Sequence, residues 1–92
     1  MDSVYTKTLR ISNNLGLHAR AAAKIVDLAK KYEAKLYLRK DDQEVDGGSI
    51  LSLLTLCCPK GTEVEIRAEG PEAHELMEEL ERLFEYRFGE EK

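Results

Sequence analysis

From Tyr5 to Ile11 the chain alternates, with Tyr5, Leu9 and Ile11 on one side and Thr6, Thr8 and Arg10 on the other, which predicts a first strand. Ser12, Asn13, Asn14 and Gly16 make a polar loop. The period then changes: Ala22, Ile25, Val26 and Ala29 fall at helical spacing against Arg20, Lys24, Asp27 and Lys31, so a first helix begins beside His18. Lys35 to Lys40 alternates again, Asp41 and Asp42 supply a turn, and Gln43 to Asp46 returns as the second arm of a hairpin. Gly47 and Gly48 break that strand, and Ser49 is a good N-cap for a short helix that is expected to end near Cys58 and Pro59.

Thr62 to Glu69 alternates cleanly, with Val64, Ile66 and Ala68 opposed by Glu63, Glu65, Arg67 and Glu69, so one sheet face should be wet. Gly70 and Pro71 mark the last helix, with Pro71 expected at its first position and Glu72 and Glu75 near the positive end of its dipole. Its apolar stripe is Ala73, Leu76, Met77, Leu80, Leu83 and Phe84, and Glu90, Glu91 and Lys92 read as a frayed end. The order βαββαβα predicts an α+β, open-faced two-layer sandwich: a four-stranded antiparallel sheet with three helices on one face.

Ninety-two residues support one small domain, residues 1–92, and exclude a multidomain enzyme. Lys plus Arg number 14 against 18 for Asp plus Glu, a net charge of −4, so no global positive field gathers nucleic acid. Cys57 and Cys58 are adjacent, which rules out a spaced disulfide framework, points to a reducing cytosol and makes packing their expected role. No apolar run approaches the ~20 residues of a membrane span, and Met1, Asp2 and Ser3 do not open a signal peptide, so a cytoplasmic location without membrane insertion is expected.

Catalytic inventory is thin. There is no zinc-ligand spacing and no glycine-rich nucleotide loop, so neither a metal nor a cofactor is expected, and a self-sufficient enzyme is not indicated. His74, beside glutamates and off the apolar stripe, is assigned no role. His18 sits where the polar loop becomes a helix, and two readings stand side by side. It is a cap without chemistry, or it carries a phosphoryl group that meets the backbone N–H groups near Ala19 and Arg20 and the Arg20 guanidinium.

The run Gly16, Leu17, His18, Ala19, Arg20, Ala21, Ala22 resembles the active loop of the HPr family, the histidine-containing phosphocarriers of the bacterial phosphotransferase system. Gly48, Ser49, Ile50 and Leu51 resemble the family's regulatory-serine helix, and Lys60 to Gly70 its last strand and turn, so the resemblance covers essentially the whole chain. It implies that enzyme I, charged from phosphoenolpyruvate, phosphorylates His18 on Nδ1, that Arg20 stabilises the phosphate, and that an EIIA-type domain receives it. It also implies phosphorylation of Ser49 by an HPr kinase/phosphorylase, an enzyme of some bacterial lineages. The family usually has proline after the active-loop arginine, and Ala21 stands there instead, which removes a fixed φ from the loop. A monomer is expected. The alternative of another class is a non-catalytic regulatory protein that acts by docking or through Ser49, and the pairing of His18 with Arg20 favours the carrier.

The second helix carries more apolar side chains than packing requires. At ~100° per residue, Ile50, Leu51, Leu53, Leu54 and Leu56 spread over roughly 220°, wider than a ~100° core stripe. Leu53 and Leu56 are assigned to the core and Ile50, Leu51 and Leu54 to an exposed patch, which the resemblance places beside His18 as the surface that enzyme I and EIIA grip. The other reading is a more deeply buried helix.

Overall fold

The computed structural model describes residues 3–91. Its elements are β1 (Ser3–Arg10), α1 (Ala19–Lys31), β2 (Lys35–Lys40), β3 (Gln43–Asp46), α2 (Ile50–Leu54), β4 (Glu63–Gly70) and α3 (Ala73–Glu85), followed by a 3₁₀ turn at Arg87–Gly89. The four strands form one sheet in the order β1-β4-β2-β3, and every neighbouring pair is antiparallel. β4 is the central organiser: Ile66 stands opposite Lys7 of β1 and Leu38 of β2, and Ala68 opposite Tyr5 and Leu36. Its even-numbered side chains Val64, Ile66 and Ala68 are fully buried, as the period of two requires.

The opposite sheet face is open to water. It holds Arg67 between Glu44 and Glu69, at 2.8 and 2.9 Å, with the guanidinium 4.3 Å above the Tyr37 ring, and Arg39 against Glu65 at 2.9 Å. Such exposed pairs fix the surface arrangement more than they stabilise the fold. The core lies on the other side, where Ile25 and Val26 of α1, Leu53 of α2 and Leu76, Met77, Leu80 and Phe84 of α3 pack over the sheet.

The main departures from the expected boundaries fall at β1, α2, α3 and the segment after α3. β1 ends at Arg10, although Ile11 just beyond it is buried and exchanges backbone bonds with the turn before β4, donating to Thr62 O at 2.9 Å and accepting from Gly61 N at 2.7 Å. α2 stops at Leu54, short of Cys58 and Pro59, because Cys57 takes a left-handed φ of 53° and the Lys40 ammonium caps the carbonyls of Leu56 and Cys57 at 3.2 and 2.6 Å.

α3 starts at Ala73, so Pro71 lies ahead of the helix and not at its first position. The Gly70–Glu72 segment is committed to a tertiary turn: Gly70 has φ +138°, and a Cβ there would come within 2.8 Å of Glu33 O. The Glu72 backbone donates to Glu33 O at 3.1 Å and its carboxylate accepts from Glu33 N at 2.7 Å, so the side chain does not cap α3.

The segment after α3 is tied down as far as Glu90, where fraying was expected. Phe88 is 1% exposed, packs its ring 4.9 Å from that of Phe84, and adopts a left-handed φ of 55°. Lys24 of α1 donates to its carbonyl, and Glu90 folds back onto the loop before α1. Lys92 lies outside the described residues.

Candidate functional site

The loop between β1 and α1 is shaped by three fixed points. Ser12 Oγ donates to Phe84 O at 3.3 Å. Asn13, fully buried, donates through Nδ2 to Gly16 O at 2.8 Å and accepts the Gly16 N–H on its own carbonyl at 3.2 Å. Gly16 has φ +71°, and a Cβ there would meet Cys58 O at 2.5 Å and Pro59 Cα at 2.9 Å, so only glycine allows the loop to lie against the segment after α2. Leu17 N then bonds Cys58 O at 2.8 Å and buries its side chain.

These constraints deliver His18 to the N-cap of α1 with extended backbone (φ −89°, ψ 178°) while its carbonyl already accepts from Ala22 N at 2.9 Å. The ring caps as well: Nδ1 accepts the Arg20 backbone N–H at 3.2 Å. An Nδ1 that accepts carries no proton, so its lone pair points at the positive end of the helix, where backbone donors are unsatisfied. Nε2 faces the Glu90 carboxylate, and the imidazole side chain is 28% exposed, enough for one edge to be reached from solvent. The cap reading and the phosphoryl reading of His18 therefore describe one geometry.

Ala19 and Arg20 are exposed, and among the described residues the Arg20 guanidinium makes no ion pair. Ala21 and Ala22 behind them are fully buried. This arrangement places a cation, the first amides of α1 and a ring nitrogen that accepts one of them at the same exposed helix start.

Ser49 caps α2 in the same way, its Oγ accepting from Ser52 N at 3.2 Å. Leu53 and Leu56 are buried, while Ile50 is 37% and Leu51 78% exposed. Leu54 is half-buried and packs against the core, so the fully open part of the patch narrows to Ile50 and Leu51. Helical angle accounts for Leu51, which is turned about 160° from the buried Leu53. The two cysteines separate: Cys58 is buried, which pushes its thiol pKa up and keeps it protonated, but Cys57 is exposed and does not pack. His74 is exposed, near Glu78 and the Tyr5 ring.

Sequence reasoning missed Leu15, 72% exposed in the loop just ahead of His18, and missed Glu90 as the neighbour of the histidine and Asn13 as the partner of Glu90. An apolar residue within a run of polar loop residues was the available signal for Leu15. Among the described residues no three His, Cys, Asp or Glu side chains are grouped to hold a metal ion, and no helix is long and apolar enough to cross a membrane.

The chain is similar to known proteins over most of its length. The family model described as the PTS HPr component phosphorylation site matches residues 5–86. The phosphocarrier protein HPr of Xylella fastidiosa is 39% identical over 83 residues, covering 90% of this chain and 93% of the relative. The phosphocarrier protein NPr of Klebsiella oxytoca is 40% identical over 86 residues, covering 92% and 96%. The crystal structure of HPr-C-His from Thermoanaerobacter tengcongensis superposes with a TM-score of 0.91 at 36% identity, covering 96% of this chain and 99% of that one.

Proposed function

The chain belongs to the HPr phosphocarrier family of the phosphotransferase system, and from that premise we propose that it receives a phosphoryl group on His18 Nδ1 from enzyme I and passes it to an EIIA-type domain. The observation that carries this reading is His18 Nδ1 accepting the Arg20 N–H at the exposed start of α1, where among the described residues the Arg20 guanidinium makes no ion pair. In the forward step the Nδ1 lone pair forms the N–P bond while the bond from phosphorus to the donor breaks, leaving its electron pair on the donor. The phosphoryl oxygens take over the N–H groups of Ala19 and Arg20 and the guanidinium, so the helix-start donors that held the lone pair now hold the charge. Little else is needed from so small a protein, because phosphoryl transfer depends mainly on position and charge neutralisation, which the partners complete. On this reading residues 1–92 act as one domain, a cytoplasmic monomer that shuttles phosphate and turns over nothing alone. Incubation with enzyme I and phosphoenolpyruvate tests it: an acid-labile, alkali-stable phosphoryl group supports the reading, and failure to take up phosphate sinks it.

The exposed Ile50 and Leu51, with half-buried Leu54 beneath them, are proposed as the docking patch. Leu51→Ser should leave unfolding within about 0.5 kcal/mol of the parent, as for an open surface site, and raise KM for enzyme I or EIIA with kcat preserved. A large fall in melting temperature would assign Leu51 to packing and remove it from the interface.

Ser49 is proposed as a regulatory phosphorylation site wherever an HPr kinase/phosphorylase is present. Its dianion would sit at the start of α2, tolerated by the helix end but adjacent to Ile50 and Leu51, where it would repel an acidic partner. Mass spectrometry of the protein exposed to that kinase and ATP should find phosphate at Ser49; modification elsewhere with none at Ser49 contradicts the assignment.

A further inference from the structure

The 3₁₀ turn after α3 delivers a carboxylate to the side of His18 that faces away from the incoming phosphate. Phe88, buried against Phe84, anchors this turn, and Lys24 holds the Phe88 carbonyl. Gly89 N bonds Tyr86 O and Glu90 N bonds Arg87 O, both at 3.0 Å. Glu90 then places Oε2 against His18 Nε2 and accepts at Oε1 from Asn13 Nδ2 at 3.0 Å. The Asn13 amide first, and His18 after it, hold the Glu90 carboxyl below the usual carboxylate range, so it is ionised at neutral pH.

We propose that Glu90, clamped by Asn13, is the positioning residue of His18: it holds the proton on Nε2 and so keeps the lone pair on Nδ1 throughout transfer. This inference rests on the phosphocarrier reading of His18. A carboxylate can only accept, so the nitrogen that faces it must carry the ring's proton and the other nitrogen must not. The Arg20 amide favours the same tautomer, but it must leave Nδ1 before phosphorus can arrive, whereas Glu90 binds the far side and stays. When the N–P bond forms, the ring keeps its Nε2–H and gains a formal positive charge. The Glu90 carboxylate meets that charge through the hydrogen bond already in place, as a buried carboxylate does behind the histidine of a hydrolase triad.

The cost of the arrangement is visible in Asn13. Both of its amide protons are committed, to Gly16 O and Glu90, and among the described residues its buried Oδ1 has no hydrogen-bond partner. A buried polar atom left without a partner is disfavoured, and here it accompanies the clamp on Glu90.

The test compares the parent with Glu90→Ala in two measurements, after melting curves establish that both are folded. Nitrogen-15 NMR of histidine-labelled, unphosphorylated protein reads the His18 tautomer, and uptake of phosphate from enzyme I gives kcat and KM. In the parent the proton is expected on Nε2. In Glu90→Ala a measurable Nδ1–H population should appear and kcat should fall on the order of tenfold with KM unchanged, the size lost when a carboxylate is removed from behind a metal-ligating histidine. An unchanged tautomer or an unchanged kcat overturns the role of Glu90 and leaves the carrier reading standing. A parent protein that accepts no phosphate overturns the carrier reading and this inference with it.

Discussion

His18→Ala is expected to take up no phosphoryl group at all from enzyme I while remaining folded. On the proposed reading the imidazole is nucleophile as well as cap, so two quantities change by different amounts. Loss of the ring removes both nitrogens on which an N–P bond could form at this site, and neither the Arg20 guanidinium nor the helix-start amides can replace them. Loss of the cap releases a single hydrogen bond to Arg20 N, for which removal of a good N-cap side chain, at about 0.5–2 kcal/mol, is an upper guide. Arg20→Ala makes the complementary case: the proposed nucleophile remains, an exposed cation with no ion pair among the described residues is lost, and transfer should slow without disappearing at nearly unchanged stability. Residual labelling of His18→Ala at the parental level would place the phosphoryl acceptor elsewhere.

Phe88→Ala is expected to have the largest effect on stability. Truncating a buried phenylalanine costs about 3–5 kcal/mol, a large part of the total of roughly 5–14 kcal/mol for a chain of this length. For a domain of this size the melting temperature should fall by about 20 °C. The lost ring also unpins the turn that carries Glu90, so the folded fraction of the variant should transfer phosphate more slowly than the parent at a temperature where both are folded. A fall of only a few degrees would show that the turn docks loosely and that Glu90 is held by Asn13 alone.

The parts of this protein legible in its sequence are those whose cause is local. β4 alternates because it is buried on one face only, and α1 and α3 show clear stripes because each packs one side on the sheet, so element order, sheet and core followed from periodicity. The place of His18 at the start of α1 was legible too, through the change from polar loop to helical period.

What failed depended on partners distant in the chain. The run of leucines continues past the end of α2, and nothing within it announces that Cys57 turns left-handed or that Lys40, on β2, takes the last carbonyls. Pro71 fits a helix start by local rule, yet Gly70 to Glu72 are bound to Glu33, so the helix waits until Ala73. Glu90 looked like a frayed end because its partner, His18, lies 72 residues earlier, and polar residues at a terminus carry no period. The exposed face of α2 was half legible: helical geometry separated Leu53 from Leu51 but could not say how far Leu54 leans on the core.

The central claim is that Nδ1 of His18 is the atom that carries phosphate, and NMR of the protein charged by enzyme I and phosphoenolpyruvate measures it directly. Phosphorus-31 spectra should show one phosphoramidate signal, and nitrogen-15 spectra of histidine-labelled protein should place the bond on Nδ1 of His18 with the proton retained on Nε2. A phosphoryl group on Nε2, on His74, or on any residue other than His18 would contradict the account.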